Sequence, residues 1–271
     1  YDFRELTPIG RRGDEMIRRL ADRLVSVDLL PQAAELLQHQ IDNRLQGAAR
    51  AQVATRLATV YLMDGKPQRA LSVLRATRSA DLHTDLRQLR LLLEARALSD
   101  AGRHDLALDI AAEIDGKEAL RLRADILWNA RRFGQSAEQI ERLHGERWRS
   151  FEPLSDAERA DILRAAIGYA LAEDQIGLGR LRERYEAKMV ESADKRAFEV
   201  ATAPHSANGV EFRELAKTVT AFTSLAAFLR EIRERYPEIG TITPGESPPP
   251  GQNHTRAPID RMSTGSIGRR L

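Results

Sequence analysis

The chain has 271 residues, 42% hydrophobic, 30% charged and only 5% aromatic, with 42 basic side chains against 40 acidic ones and no cysteine. That length can bury a sizeable core, while the lack of cysteine excludes disulfides, a thiol nucleophile and thiolate metal sites. The near-neutral balance argues against a broad nucleic-acid surface, and the segment from Thr241 onward, with four Arg against Glu246 and Asp260, supplies the surplus.

Few aromatics with abundant Ala, Leu and Arg suit helix-on-helix packing, whereas a β-rich core would want more Val, Ile, Tyr and Phe. Only Lys66, Lys117, Lys188, Lys195 and Lys217 are lysines; this Arg bias matches a GC-rich bacterial genome. No apolar run approaches the roughly 18 residues needed to span a bilayer. The chain starts at Tyr1 without a signal-like segment, so it is expected to be part of a longer protein.

Residues 1–13 form an N-terminal segment broken by Pro8, Gly10 and Gly13. A first helix is predicted from about Asp14, with Ile17, Leu20, Ala21 and Leu24 on one face. Its partner starts near Pro31, a favoured first-turn position, and carries Ala33, Ala34, Leu37 and Ile41. The clearest unit follows: Ala54, Leu57, Ala58 and Tyr61 on one helix, Gly65 at a turn, then Pro67, Ala70 and Leu74. The same spacing returns as Leu91, Ala95, Leu98, Gly102, His104, Ala107 and Ala111. A fourth copy reads Leu120, Ala124 and Leu127, a turn at Arg131–Arg132, then Phe133, Ile140 and Leu143. The four units start near 14, 51, 88 and 117, and pairs of this kind bury their apolar faces only by stacking on neighbours.

Beyond a loop from Gly145 to Leu154, Ser155-x-x-Glu158 is a capping-box signature that opens a long helix with Ile162, Ala166, Tyr169 and Ala170. A second helix is expected after a break at Gly177 and Gly179, making a fifth, divergent pair. A short helix near 192–203 and two more carrying Phe212 to Phe222 and Leu225 to Ile232 should cap the array, after a turn at 204–209 and a cap at Thr223 or Ser224. From Pro237 to Leu271 the Pro, Gly, Ser and Thr content predicts a disordered tail.

These units resemble tetratricopeptide repeats. Ala58, Ala95 and Ala124 match the small site where a repeat's two helices touch, Ala70 and Ala107 the small site of the second helix, and Gly65 and Gly102 the turn. Asp28 and Arg131 stand where that family favours Gly. The resemblance implies an all-α, right-handed solenoid of antiparallel helix pairs over 14–150, a divergent pair and capping helices over 151–236, and the tail over 237–271. The chain is also similar in general character to large repeat proteins of the bacterial cell envelope, some associated with the flagellar motor. A periplasmic site is favoured over the cytoplasm on that basis, and the absence of cysteine is compatible with both.

Motif chemistry is sparse. The six His residues form no metal-ligand pair and are expected to be solvated or turn residues. No phosphate loop or nucleophile elbow occurs, so no cofactor is expected. Carried over from the resemblance, the inner groove is lined by Arg18, Asp22, Gln52, Thr55, Thr59, Arg96, Asp100, Arg121, Asp125 and Trp128. The Lys/Arg and Asn set of chaperone-tail clamps is absent, and this mixed lining suits a polar peptide or a partner helix. The alternatives for these positions are plain solvation, or a groove filled by the C-terminal helices. The expected function is a non-catalytic protein-interaction scaffold. One alternative is binding of nucleic acid or an acidic partner through the Arg clusters at 11–19, 131–132, 147–149 and 180–184. Another is an enzyme whose catalytic residues lie in loop 145–156 or elsewhere in a longer protein.

Overall fold

The computed structural model of the chain describes residues 10–203, 209–221 and 225–236. The expected turn at 204–209 (apart from Gly209), the cap at Thr223 or Ser224 and the tail from Pro237 lie outside the described residues, as does Phe222. Among the described residues the structure is all-α: α1 Arg11–Ser26, α2 Leu30–Asn43, α3 Gly47–Met63, α4 Pro67–Ala76, α5 Thr84–Asp100, α6 His104–Ala112, α7 Lys117–Asn129, α8 Phe133–His144, α9 Asp156–Leu171, α10 Gln175–Val190, α11 Lys195–Thr202, α12 Val210–Ala221 and α13 Leu225–Arg235. Each helix from α1 to α12 packs against its sequence neighbour.

One turn recurs five times and sets the register. Asp28, Gly65, Gly102, Arg131 and Glu173 all have φ between 54° and 75°. In each case the next residue's N–H reaches back over the last helical turn: Leu29 to the Leu24 carbonyl at 2.9 Å, Lys66 to Tyr61, Arg103 to Leu98 and Arg132 to Leu127 at 2.8 Å, Asp174 to Tyr169 at 3.0 Å. This is a Schellman-type closure that satisfies otherwise orphaned carbonyls. The turn residues lie 37, 37, 29 and 42 positions apart, so pairs one to four keep the predicted spacing and α9–α10 forms a fifth pair on the same device. Asp28 and Arg131 therefore occupy the glycine position without being glycine. A left-handed φ costs an L residue roughly 1–2 kcal/mol, partly offset by the backbone entropy glycine loses. Arg131→Gly should accordingly raise stability by about 0.5–1 kcal/mol, read as a higher urea midpoint; a lower midpoint would mean that the Arg131 side chain contributes more than its backbone strain removes.

Counted from these turns, one small residue recurs in every first helix: Ala21, Ala58, Ala95, Ala124 and Ala166, all buried. In the second helices the matching site holds Ala33, Ala70, Ala107 and then Ser136, whose hydroxyl donates to the Ala124 carbonyl at 2.7 Å. Close helix approach thus continues in the fourth pair through a hydroxyl that takes up a backbone acceptor. A cross-pair ion contact repeats as well. Asp22 and Asp125 each stand six residues before their turn residue, and each meets an arginine nine residues before the next turn: Arg56 at 3.5 Å and Arg164 at 2.6 Å.

Two sequence expectations change. The break expected at Gly177 and Gly179 lies instead at Glu173–Asp174, and both glycines sit inside α10. Gly177 serves a close approach: a Cβ there would fall 2.6 Å from the Tyr169 ring and 2.6 Å from Asp174 Oδ2, while Asp174 caps the helix by accepting from the Gly177 N–H at 2.9 Å. Leu20, expected on the buried face of α1, is 44% exposed, because Ile17, Ala21 and Val25 take the buried stripe. The capping box holds, with Ser155 accepting from the Glu158 N–H and Glu158 accepting from the Ser155 N–H.

The chain's end divides its work. α11 and α12 pack on α9 and carry Phe198, Ala201 and Phe212 into the core built around α9 and α10. α13 does not extend that end. It returns to α7, and Phe228, Leu229, Ile232 and Tyr236 join the core of α1–α7.

Candidate functional site

Among the first helices, α3 touches α5 and α5 touches α7, and α1, α3, α5 and α7 carry all ten positions assigned to the groove. They separate into three groups. On α1, half-buried Arg18 pairs with Glu15 at 2.6 Å and half-buried Asp22 faces Arg56; burial raises the Asp22 pKa against the pull of Arg56. Gln52 is half-buried on α3. Thr55 and Thr59 are buried and bond along their own helix, Thr55 to the Ala51 carbonyl at 2.7 Å and Thr59 to the Thr55 carbonyl at 3.2 Å. Thr55 also accepts from buried Arg90 at 3.1 Å. These two threonines belong to the packing between pairs.

The other five converge. On α5, Arg96 Nε donates to both oxygens of Asp100, at 2.9 and 3.1 Å. On α7, Arg121 clamps Asp161 of α9 through two bonds of 2.7 and 2.8 Å, the planar fork-to-carboxylate geometry that makes arginine directional. Asp125 accepts from Arg164 of α9 at 2.6 Å. Trp128 is buried against Phe133, ring centroids 5.1 Å apart at 73°, with the Arg164 guanidinium 4.8 Å from its ring centre. Trp128 is therefore held within the packing and offers no open face to a ligand.

Over this stretch lies α13. Its Phe228 ring sits 5.4 Å from the Arg96 guanidinium, and Glu231 pairs with Arg121 Nε. Helix α13 thus covers Arg96 and Arg121, two of the positions assigned to the groove. Arg121, with Asp161, Glu231 and Asp125 around it, is held above its ordinary pKa despite burial. Burial pushes the Glu231 carboxyl up to about 7, opposed by Arg121 and helped by the negative charges of Asp161, Asp125 and Glu118. The folded value exceeds the unfolded 4.5, so the contribution of Glu231 to stability is full below 4.5 and fades as pH rises through about 7. Glu231→Gln keeps the shape and removes the titration. Its melting temperature should gain on wild type by more at about pH 8 than at about pH 5; an equal difference at both would show that Glu231 stays ionised throughout.

Sequence reasoning missed Asp161, His144, Arg164, Phe228 and Glu231. His144 was expected in solvent or a turn, yet its side chain is 9% exposed and Nε2 donates to Asp161 at 2.9 Å. Asp161 and Arg164 fall on the inward stripe of α9, and the Asp22–Arg56 spacing would have pointed to Arg164 once the turn at Glu173 was placed. Nothing local marks Phe228 or Glu231 as partners of residues more than 100 positions earlier.

The Arg-rich stretches are largely occupied. Arg180 and Arg184 both bind Glu141, Arg182 binds Glu186, Arg132 binds Asp105, and Arg18 and Arg19 share Glu15. Tyr169 adds its hydroxyl to Glu141, and its pKa is raised, chiefly by burial. Loop 145–156 is wired in the same way. Arg147 donates to Glu158 at 2.6 Å and to the Pro153 carbonyl at 2.7 Å, and Lys188 reaches the Ser150 and Glu152 carbonyls. Those polar groups hold the loop. Its tip presents Phe151 fully exposed.

Among the described residues no helix is long and apolar enough to cross a membrane, and no cluster of three or more His, Asp or Glu side chains is arranged to hold a metal ion. No protein-family model, curated protein or solved structure matches the chain.

Proposed function

We propose that this chain is a non-catalytic interaction scaffold: a right-handed, tetratricopeptide-like array of antiparallel helix pairs whose first-helix row is a concave wall for a partner helix or peptide. The observation that carries this reading is α13 on the wall, where an amphipathic helix meets Arg96 and Arg121, two residues assigned to the groove from the repeat resemblance. The five equivalent turns and the recurring small sites support the repeat assignment. Apolar burial would supply most of the binding energy, with the charge pairs fixing register and orientation.

Affinity capture followed by mass spectrometry tests it, with Arg96→Glu on the wall and Arg149→Glu on an exposed loop as the matched control. A partner lost with Arg96→Glu and kept with Arg149→Glu is the expected result; partners indifferent to both would remove the wall from the reading. The internal pairing of the Arg clusters disfavours nucleic acid as the partner. Retention on heparin that falls steeply with salt would reverse that judgement, since counterion release gives such a slope.

A further inference from the structure

We propose that the α5–α7 surface beneath α13 is a helix-docking site for another protein. Its external occupant is an amphipathic helix presenting aromatic, aliphatic and acidic side chains at the spacing of Phe228, Leu229, Glu231 and Ile232, and α13 must leave before that helix binds. This rests on the scaffold reading and adds the chemistry of the partner and the gate in front of it.

Three observations converge on it. The wall's chemistry matches a helix of that pattern: the Arg96 guanidinium faces an aromatic ring, Arg121 offers Nε to a carboxylate while its two terminal nitrogens stay on Asp161, and fully buried Leu229 and Ile232 fill the apolar floor. α13 is also an appended element. The succession of contacts from α1 to α12 does not run through it; it packs on α7 and on Arg96 of α5, far back in the sequence, and lends Phe228, Leu229, Ile232 and Tyr236 to the core there. Displacing it therefore separates no pair from its neighbour. Finally, a cleft of about 350 Å³ runs beside the docked helix, bordered by Lys117 and Glu118 of α7, Leu143 of α8 and Glu234 of α13. An incoming chain can make first contact there while α13 is still in place. With α13 removed, Arg96 and the apolar floor would face water, so a replacement must bring both a ring and aliphatic side chains.

The test uses the full chain and a fluorescent peptide of residues 225–236, cross-linked between positions 230 and 234 on its exposed face so that helix formation costs little. Leu229→Asp with Ile232→Asp should undock α13 and bind the peptide at least tenfold tighter than wild type, and adding Arg96→Glu should abolish the gain. Should that double variant lose helicity by circular dichroism, Glu231→Arg, which sets like charge against Arg121 and leaves the apolar side chains intact, must show the same gain. No peptide binding by an undocked, folded chain overturns the proposal together with the wall reading. Equal binding by wild type and undocked variant overturns the gate alone and leaves the wall reading standing. A concentration-dependent dimer of wild type that the peptide dissolves would assign the wall to α13 of a second copy and overturn the proposal of a different partner.

Discussion

Arg90→Met should destabilise the chain by about 2–5 kcal/mol, the cost of leaving buried carbonyls without their donors. Arg90 is buried, yet no carboxylate bonds to it directly. Nη1 donates to the Ala51 carbonyl at 2.8 Å and to Thr55 Oγ1, and Nη2 donates to the Leu74 carbonyl at 2.6 Å, the Thr77 carbonyl at 3.2 Å and Thr77 Oγ1. Leu74 and Thr77 lie at the end of α4, where carbonyls have no helical donors and the helix dipole favours a cation. One guanidinium thus ties α3, α4 and α5 together. Burial lowers its pKa, with Glu94 opposing. Methionine fills much of the volume but takes the guanidinium donors from the Leu74 and Thr77 carbonyls, each worth about 1–3 kcal/mol unsatisfied, while the Ala51 carbonyl still accepts from Thr55. Arg90→Lys should recover only part of the loss, because a single ammonium cannot reach both helices. Urea unfolding checks both variants, and a methionine variant within about 1 kcal/mol of wild type would show that water takes the place of the guanidinium.

Asp161→Ala should rank beside it, at about 3–5 kcal/mol near neutral pH. The carboxylate collects Arg121 and His144; its removal takes that partner from His144 and leaves Arg121 only its pairing with Glu231. Burial works to raise the Asp161 pKa, but the bonds from His144 and Arg121 hold it net below 3.8. A depressed folded pKa contributes stability that is present above 3.8 and disappears as pH falls through the folded value. The gap between wild type and Asp161→Ala should therefore be wide at neutral pH and narrow in strong acid. A gap unchanged by acid would locate the loss in packing and not in charge.

Much of the architecture is legible in the residues because it depends on local rules. Helix pairs announce themselves through 3.6-residue periodicity, and the touching sites through Ala58, Ala95 and Ala124, where only a small side chain lets two backbones approach. Gly65 and Gly102 mark a left-handed φ because glycine adopts it without strain. The same turn at Asp28, Arg131 and Glu173 is harder to see, since those residues accept the strain in exchange for the closing hydrogen bonds. Gly177 misled for the opposite reason: it looks like a breaker, yet it lies within α10 to admit the Tyr169 ring.

The candidate site was half legible. The repeat resemblance placed Arg96, Asp100, Arg121 and Asp125 on one wall; in the structure Arg96 and Asp100 bond to each other on α5, while Arg121 and Asp125 of α7 bond to Asp161 and Arg164 of α9. The resemblance also placed Thr55 and Thr59 in the same wall, where the structure gives them to the interior as supports for Arg90 and for their own helix. A polar residue on the inward stripe reads the same whether it waits for a partner or already serves the core.

What the amino-acid order determined unaided is the all-helical class, the four-unit register and the capping box at Ser155, each encoded within about a dozen neighbouring residues by side-chain size, periodicity and turn preference. What only the tertiary structure decided is the company those helices keep: α13 returning past α12 to lie on α7, His144 with Asp161, Glu231 with Arg121. Contacts so distant in sequence depend on where the accumulated stacking geometry brings two surfaces together, and no local pattern records that sum.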